Sequence, residues 1–309
     1  MKILALVLAG GEGSRLRPLT AEHAKPALPF AGGYRIVDFV LSNLVNSGIT
    51  SIYVLAQYKP QSLIEHIRAA WEPVLRGPGQ FVSVVLPDAD SARGPFLGTA
   101  DAIHKNLHLC AHHAPDLVAV FAADHVYRMD VGQMVEAHMR SRAEVSVAAV
   151  PVPVKWASQF GIIATHPDGR IREFQEKPAR PAPIPGRARH AYASMGNYLF
   201  DPGVLAALLE PAARRGETDF GSHILPRAIG THRVFAYDFA GNQVPGILPH
   251  EEPNYWRDVG SIEAYKAAQR DVSGPRPKFS LANERWPIGG GLRAAGSGCV
   301  ATARCGNTG

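Results

Sequence analysis

ILALVLAGGEGSRLRPLT, residues 3–20, opens with a continuous apolar run that stops at a pair of glycines. From Ile3 to Ala9 there is no polar alternation. Such a strand is buried on both faces, as at the middle of a parallel sheet. Gly10-Gly11-Glu12-Gly13 then forms a glycine-rich turn. Glycines placed directly after a buried strand let backbone N–H groups approach phosphate oxygens. Arg15 adds a fork of donors suited to a polyphosphate. The Gly-Gly-x-Gly spacing is not the dinucleotide fingerprint, and the absence of a following Gly-Lys-Ser/Thr excludes a Walker A loop. An ordinary strand-to-helix turn reads much the same way. Arg15 and the downstream Lys25-Pro26-Ala27 favour the anion-binding reading.

The elements that follow alternate. Helical spacing covers 34–46, strand pattern 51–56, helix 62–71, strand 81–86, helix 99–107, strand 117–123, helix 131–142 and strand 144–150. This β–loop–α alternation predicts an α/β, Rossmann-like, open and mostly parallel sheet covered on both faces. Past residue 150 the pattern loosens. Short strands are predicted at 161–165 and 171–174 around the turn Pro167-Asp168-Gly169, then a strand at 193–200 and helices at 202–209 and 261–270. His112-His113 reads as part of a loop. Residues 289–309 hold seven glycines, Cys299 and Cys305 with no apolar period, and no packed structure is expected there.

The bulk numbers exclude some classes. The chain has 309 residues, 46% apolar and 19% charged, a globular balance. The net charge of +5 is spread without a basic run, which speaks for phosphorylated small molecules and against a nucleic-acid arm. No stretch approaches the roughly 18 apolar residues a membrane helix needs, and no secretory leader pattern opens the chain. Three scattered cysteines without metal-ligand spacing fit a reducing cytoplasm.

Further candidates for chemistry lie downstream. Asp124 follows the buried strand 117–123, where open α/β sheets place ligands, and a carboxylate there suits Mg²⁺. A cap of the next turn accounts for it equally well. Asp258, in Trp256-Arg257-Asp258-Val259-Gly260, either completes a metal site with Asp124 or lies on a surface loop beside a core Trp. Glu176-Lys177-Pro178 pairs an acceptor for sugar hydroxyls with a point charge for a phosphate, or is a solvated ion pair ending a strand. Thr99 caps the helix that Gly98 opens, and its exposed N–H groups also suit a base or phosphate.

Taken in order, these segments resemble the bacterial glucose-1-phosphate adenylyltransferases. The match runs through LAGGEGSRLRPLT (8–20), AKPALPFAGGYRIVDFVLSN (24–43), GTADA (98–102), ADHVY (123–127), FGII (160–163), EKP (176–178), ASMGNYLF (193–200), DFG (219–221) and YWRDVGSIEAY (255–265). It covers about residues 2–288. YRIVDF, ASMG and YWRDVG point to the adenylyl branch over thymidylyl relatives.

The resemblance implies the nucleotidyltransferase type of sheet and synthesis of ADP-glucose and pyrophosphate from ATP and glucose 1-phosphate with Mg²⁺, feeding α-glucan (glycogen) synthesis. It implies catalytic roles for Arg15, Asp124 and Lys177. Gly10, Gly11, Gly13, Arg15, Lys25, Gln57, Gly98 and Thr99 would bind the nucleotide. Phe96, Gly161, Glu176, Lys177, Ser194, Asp219 and Trp256 would bind the sugar phosphate, and Asp124 and Asp258 the metal. No nucleic acid or membrane is implied; the family assembles as homotetramers. A thymidylyl- or uridylyltransferase on the same sugar phosphate, or a catalytically weak regulatory subunit, are the alternative readings.

The chain departs from the pattern in places. Phe96-Leu97 stands where the family has Tyr and Arg, removing a hydroxyl and a charge. Ala123 replaces the Gly before Asp-His. Arg17 stands where some members carry a lysine linked to activator binding. After Trp286-Pro287-Ile288, where the family continues into a β-helix domain, a glycine-rich tail follows. The expected division is therefore a catalytic domain at 1–275, with a nucleotide-binding half to 150 and a sugar-phosphate half from 151, then a linker and remnant tail at 276–309 without the β-helix.

Overall fold

The computed structural model describes residues 1–88 and 94–290. In chain order the strands are β1 (Ile3–Ala9), β2 (Pro29–Phe30), β3 (Tyr34–Arg35), β4 (Ser51–Ala56), β5 (Phe81–Val85), β6 (Leu117–Ala122), β7 (His125–Tyr127), β8 (Val145–Pro153), β9 (Gly161–Thr165), β10 (Ile171–Glu176), β11 (His190–Phe200), β12 (Val234–Asp238) and β13 (Trp256–Asp258). The helices are α1 (Val37–Asn46), α2 (Gln61–Ala70), α3 (Thr99–Lys105), α4 (Leu107–His113), α5 (Val131–Ser141), α6 (Pro202–Arg214), α7 (Leu225–Thr231) and α8 (Ile262–Asp271).

The main sheet runs β10-β9-β11-β6-β1-β4-β5, with β8 on β11 and β12 on β8. β6, β1, β4 and β5 are parallel, Leu6 lying between Tyr53 and Val120. Side chains alternate across β1. Ala5, Val7 and Ala9 enter the core under α1, α2 and α5, while Leu4 and Leu6 enter the core under α3, α6 and α7. Two-sided burial is why β1 is apolar at every position.

The second half departs from the parallel expectation. β11 lies antiparallel between β6 and β8, and β9 and β10 add antiparallel beyond it. β11 is irregular between Ser194 and Tyr198, where Gly196 takes φ 69°. Here it leaves one neighbour for another. Apolar periodicity reports burial but not strand direction, so the sequence pattern is silent on this insertion.

Two local readings change. The helix expected from 34 starts at Val37 because Tyr34–Arg35 pairs with Pro29–Phe30, and Asp38 accepts the Arg35 N–H at 2.7 Å. His112 and His113 end α4 instead of lying in a loop. His113 stacks on Phe81 and meets the Tyr53 hydroxyl at 2.9 Å, so tertiary contacts hold it in the helix.

Residues 276–290, expected to be linker, dock on the body. Phe279, Trp286 and Ile288 are buried, and Arg128 lies over the Phe279 ring at 4.3 Å. Asn46 donates to the Pro287 carbonyl and the Gly289 N–H donates to Ser42 Oγ, at 2.9 and 2.8 Å. Burying such side chains is worth about 2–3 kcal/mol each, which holds this segment on α1. Most of the glycine-rich tail, with Cys299 and Cys305, lies outside the described residues. Among the described residues no helix is long and apolar enough to cross a membrane.

Candidate active site

β6 ends at Ala122, and Ala123-Asp124 leads straight into β7. Asp124 therefore stands at the carboxyl end of a central strand, at the mouth of the open sheet. β13 pairs antiparallel with β7, setting Trp256 against Tyr127 and Asp258 against His125. Directly opposed residues in such a ladder have Cβ atoms about 5 Å apart. The register thus delivers Asp258 to Asp124 from far along the chain. Two buried asparagines fix β7: Asn43 bonds the Tyr127 carbonyl and the Met129 N–H, and Asn197 bonds the Tyr127 hydroxyl and the Ala122 N–H.

Lys25 closes the cluster. Its ammonium lies 2.9 Å from Asp124 Oδ2 and 3.5 Å from Asp258 Oδ1, and its side chain is only 9% exposed. Burial pushes the Asp124 carboxyl up, but His125 and Lys25 outweigh it and hold the group well below the usual carboxylate range. One ligand atom each from Asp124, His125 and Asp258 lie within 4.8 Å of one another. Among the described residues His125 Nδ1 is buried without a hydrogen-bond partner, 3.4 Å from Asp124 Oδ1. Two carboxylates sharing a single lysine, beside an unsatisfied ring nitrogen, fit a hard divalent cation such as Mg²⁺. The Trp256 ring covers His125 at 4.9 Å and meets Phe160 at 5.7 Å. Gly260 was not anticipated. A Cβ there would stand 3.1 and 3.2 Å from the two Asp258 carboxylate oxygens.

The glycine loop lies beside this cluster. Gly13 takes φ 65°, and a Cβ on it would come within 2.9 Å of Thr20 Cγ2 and 3.2 Å of Lys25 Cβ, so the fold itself demands glycine. Gly10 and Gly11 differ. Neither needs a positive φ, and among the described residues a Cβ on Gly10 would meet only ordinary contacts and one on Gly11 nothing within 4 Å. Their lack of side chains keeps a space open that no other described residue fills, the arrangement that close backbone approach to a ligand requires. Arg15 is exposed and has no hydrogen-bond or ion-pair partner among the described residues, whereas Arg17 is bound to Glu12 at 2.6 Å. Gln57, next to Gly10, accepts from the Phe96 N–H and donates to its carbonyl. The Phe96 ring packs on the core beneath α3.

The sugar-side candidates form a second cluster. A Cβ on Gly161 would meet Phe174 and come within 3.2 Å of Glu176 Oε2, and one on Gly221 would stand 3.3 Å from the same oxygen and 3.5 Å from Asp219 Oδ1. Tyr198, missed in the sequence, joins them. Burial pushes its phenol up, a hydrogen bond with Ser194 opposes this, and the charges of Asp219 and Glu176 add to the rise. Thr99 donates to Asp219 Oδ2 at 3.0 Å, so a residue assigned to the nucleotide and one assigned to the sugar are direct partners. Asp219 also caps the turn Phe220–Ile224 through the Ser222 N–H.

Lys177 is not brought to the carboxylate pair. Its ammonium pairs with neighbouring Glu176 at 2.7 Å, its side chain is 61% exposed, and its φ of 45° is strained for a residue with a Cβ.

The nucleotidyl transferase family profile matches residues 4–274. The glucose-1-phosphate adenylyltransferase of Thermodesulfovibrio yellowstonii is 52% identical over 288 residues, covering 93% of this chain and 70% of that protein. That of Thermus thermophilus is 50% identical over 301 residues, covering 93% and 71%. Glucose-1-phosphate adenylyltransferase 1 of Vibrio cholerae is 43% identical over 289 residues, covering 93% and 70%. The profile match takes in both clusters and the strands that carry them, and the chain belongs to the glucose-1-phosphate adenylyltransferase family of nucleotidyl transferases.

Proposed function

We propose that this protein joins ATP and α-D-glucose 1-phosphate to give ADP-glucose and pyrophosphate. The observation that carries the reading is the meeting of Asp124, Asp258 and Lys25 at the carboxyl end of β6. That cluster lies beside a glycine loop with an exposed arginine that has no partner among the described residues.

A phosphate oxygen of the sugar phosphate attacks the α-phosphorus of ATP. The new P–O bond forms as the bond from the α-phosphorus to the β-phosphate bridging oxygen breaks, and pyrophosphate leaves with that electron pair. Positioning and charge neutralisation dominate such chemistry. This matches a site of cations, carboxylates and glycines. The backbone of Gly10, Gly11 and Gly13 and the guanidinium of Arg15 hold the polyphosphate. Gln57, Phe96, Gly98 and Thr99 shape the nucleoside side. Glu176, Ser194, Asp219 and Tyr198 accept and donate to sugar hydroxyls, and Lys177 swings from Glu176 to meet the sugar phosphate. Trp256 and Gly161 wall the pocket. Asp124 and Asp258 hold Mg²⁺, which when bound neutralises charge developing on the phosphates. Residues 1–150 thus serve mainly the nucleotide and 151–275 mainly the sugar phosphate.

The test is pyrophosphate release with Mg²⁺ and glucose 1-phosphate and, in turn, ATP, dTTP and UTP. ATP is expected to be used best. Clear preference for dTTP or UTP would sink the adenylyl assignment, and a folded protein inactive with all three would sink the catalytic one.

A further inference from the structure

We propose that Lys25 is the resident counter-ion of the Asp124–Asp258 pair and that it couples entry of a divalent cation to arrival of the nucleotide. This rests on the metal-dependent reading above and adds a rule for how the site fills.

The Lys25 ammonium already occupies the place between the carboxylates, 2.9 Å from one and 3.5 Å from the other. A cation entering there meets a like charge at contact distance, in a partly buried setting where screening is weaker than in bulk water. To admit it, Lys25 must give up its partners. The residue is only 7% exposed, and a buried ammonium without an anion is strongly disfavoured. Free cation alone is therefore opposed.

Relief comes from the glycine loop. Lys25 Cβ lies against Gly13, 3.2 Å from where a Cβ on that glycine would be. The base of the lysine is thus fixed under the loop where the polyphosphate is proposed to lie, and a short swing of the flexible stem carries the ammonium from carboxylates to phosphate. The structure records hydrogen bonds from this ammonium to Asp124 and Asp258. Nucleotide supplies the replacement anion, the carboxylates are freed, and the cation enters. Each ligand raises affinity for the other, and the coupling is reciprocal.

Cation binding without nucleotide tests this. Mn²⁺ would be titrated alone into wild type, Lys25→Met and Lys25→Gln, following loss of the free-ion paramagnetic resonance signal, with thermal melts to establish folding. Either folded variant is expected to bind Mn²⁺ about tenfold or more tightly than nucleotide-free wild type. Equal or weaker binding overturns the counter-ion role and leaves the metal site standing. No binding by any of the three proteins overturns the metal-site reading, and this inference with it. Wild type alone gives a second check, because half-saturation below about 0.1 mM without nucleotide overturns the proposal even where no variant folds.

Discussion

Asp258 faces His125 across the β7–β13 ladder, and Asp124 immediately precedes that histidine. A two-stranded sheet of three residues a side therefore sets the distance between the two carboxylates. Each should be indispensable. Asp124→Asn and Asp258→Asn are expected to lower turnover about a hundredfold or more, as measured by pyrophosphate release on protein that calorimetry shows to be folded.

Gly260 guards the same carboxylate. Its backbone is not in the left-handed region, so Gly260→Ala costs little in folding. The added methyl crowds both Asp258 oxygens. A shift of about 1 Å in a catalytic group can cost on the order of a hundredfold. Turnover should fall at least tenfold on that scale while the far-ultraviolet spectrum and melting curve stay unchanged.

Asn197 ties the end of β6 to β7 and is fully buried. Asn197→Ala strands the Ala122 N–H and takes from the Tyr127 hydroxyl one of its two asparagine partners, Asn43 being the other. Leaving that N–H unpaired and weakening the hydroxyl's network costs about 1–3 kcal/mol in all, which urea unfolding would read directly.

Trp286 lies in the segment read from sequence as linker, yet it is 8% exposed. Trp286→Ala should lower stability by about 3–5 kcal/mol. A change within error in urea unfolding would show that residues 276–290 contribute nothing to the fold.

Glu217 provides a pH-dependent contribution. Hydrogen bonds from Arg215 and Arg227 draw its carboxyl down from 4.5 to about 2. A folded-state value below the unfolded one stabilises above the unfolded value, and the gain disappears as pH falls through the folded one. The difference in melting temperature between wild type and Glu217→Gln should be present at pH 6 and shrink steadily between pH 4.5 and 2.

The first half of the chain was legible because its signals are local. An apolar run from Ile3 to Ala9 followed by glycines states strand and turn together, and Asp124 after 117–123 states the end of another buried strand. The meeting of Asp124 with Asp258 is not written locally at all. It depends on the β7–β13 register; the residues alone offered it as one of two readings, and the resemblance to a family decided between them. Tyr198 was missed because in ASMGNYLF it reads as one more core aromatic, and the carboxylates beside it come from other strands and turns. The linker at 276–290 was misjudged for a related reason: Phe279, Trp286 and Ile288 are too sparse to form a period, though each finds a separate seat on the body. Lys25 was read as a phosphate ligand; its bond to the carboxylate pair needed coordinates.

The most direct measurement follows the oxygen atoms. Glucose 1-phosphate labelled with ¹⁸O at its non-bridging phosphate oxygens would be incubated with ATP and Mg²⁺, and the products weighed by mass spectrometry, with Asp124→Asn as control. Attack of the sugar phosphate on the α-phosphorus requires all the label to appear in ADP-glucose and none in pyrophosphate, with product from the control formed about a hundredfold more slowly or less. Label in pyrophosphate, or ADP-glucose formed equally well by Asp124→Asn, would contradict the account.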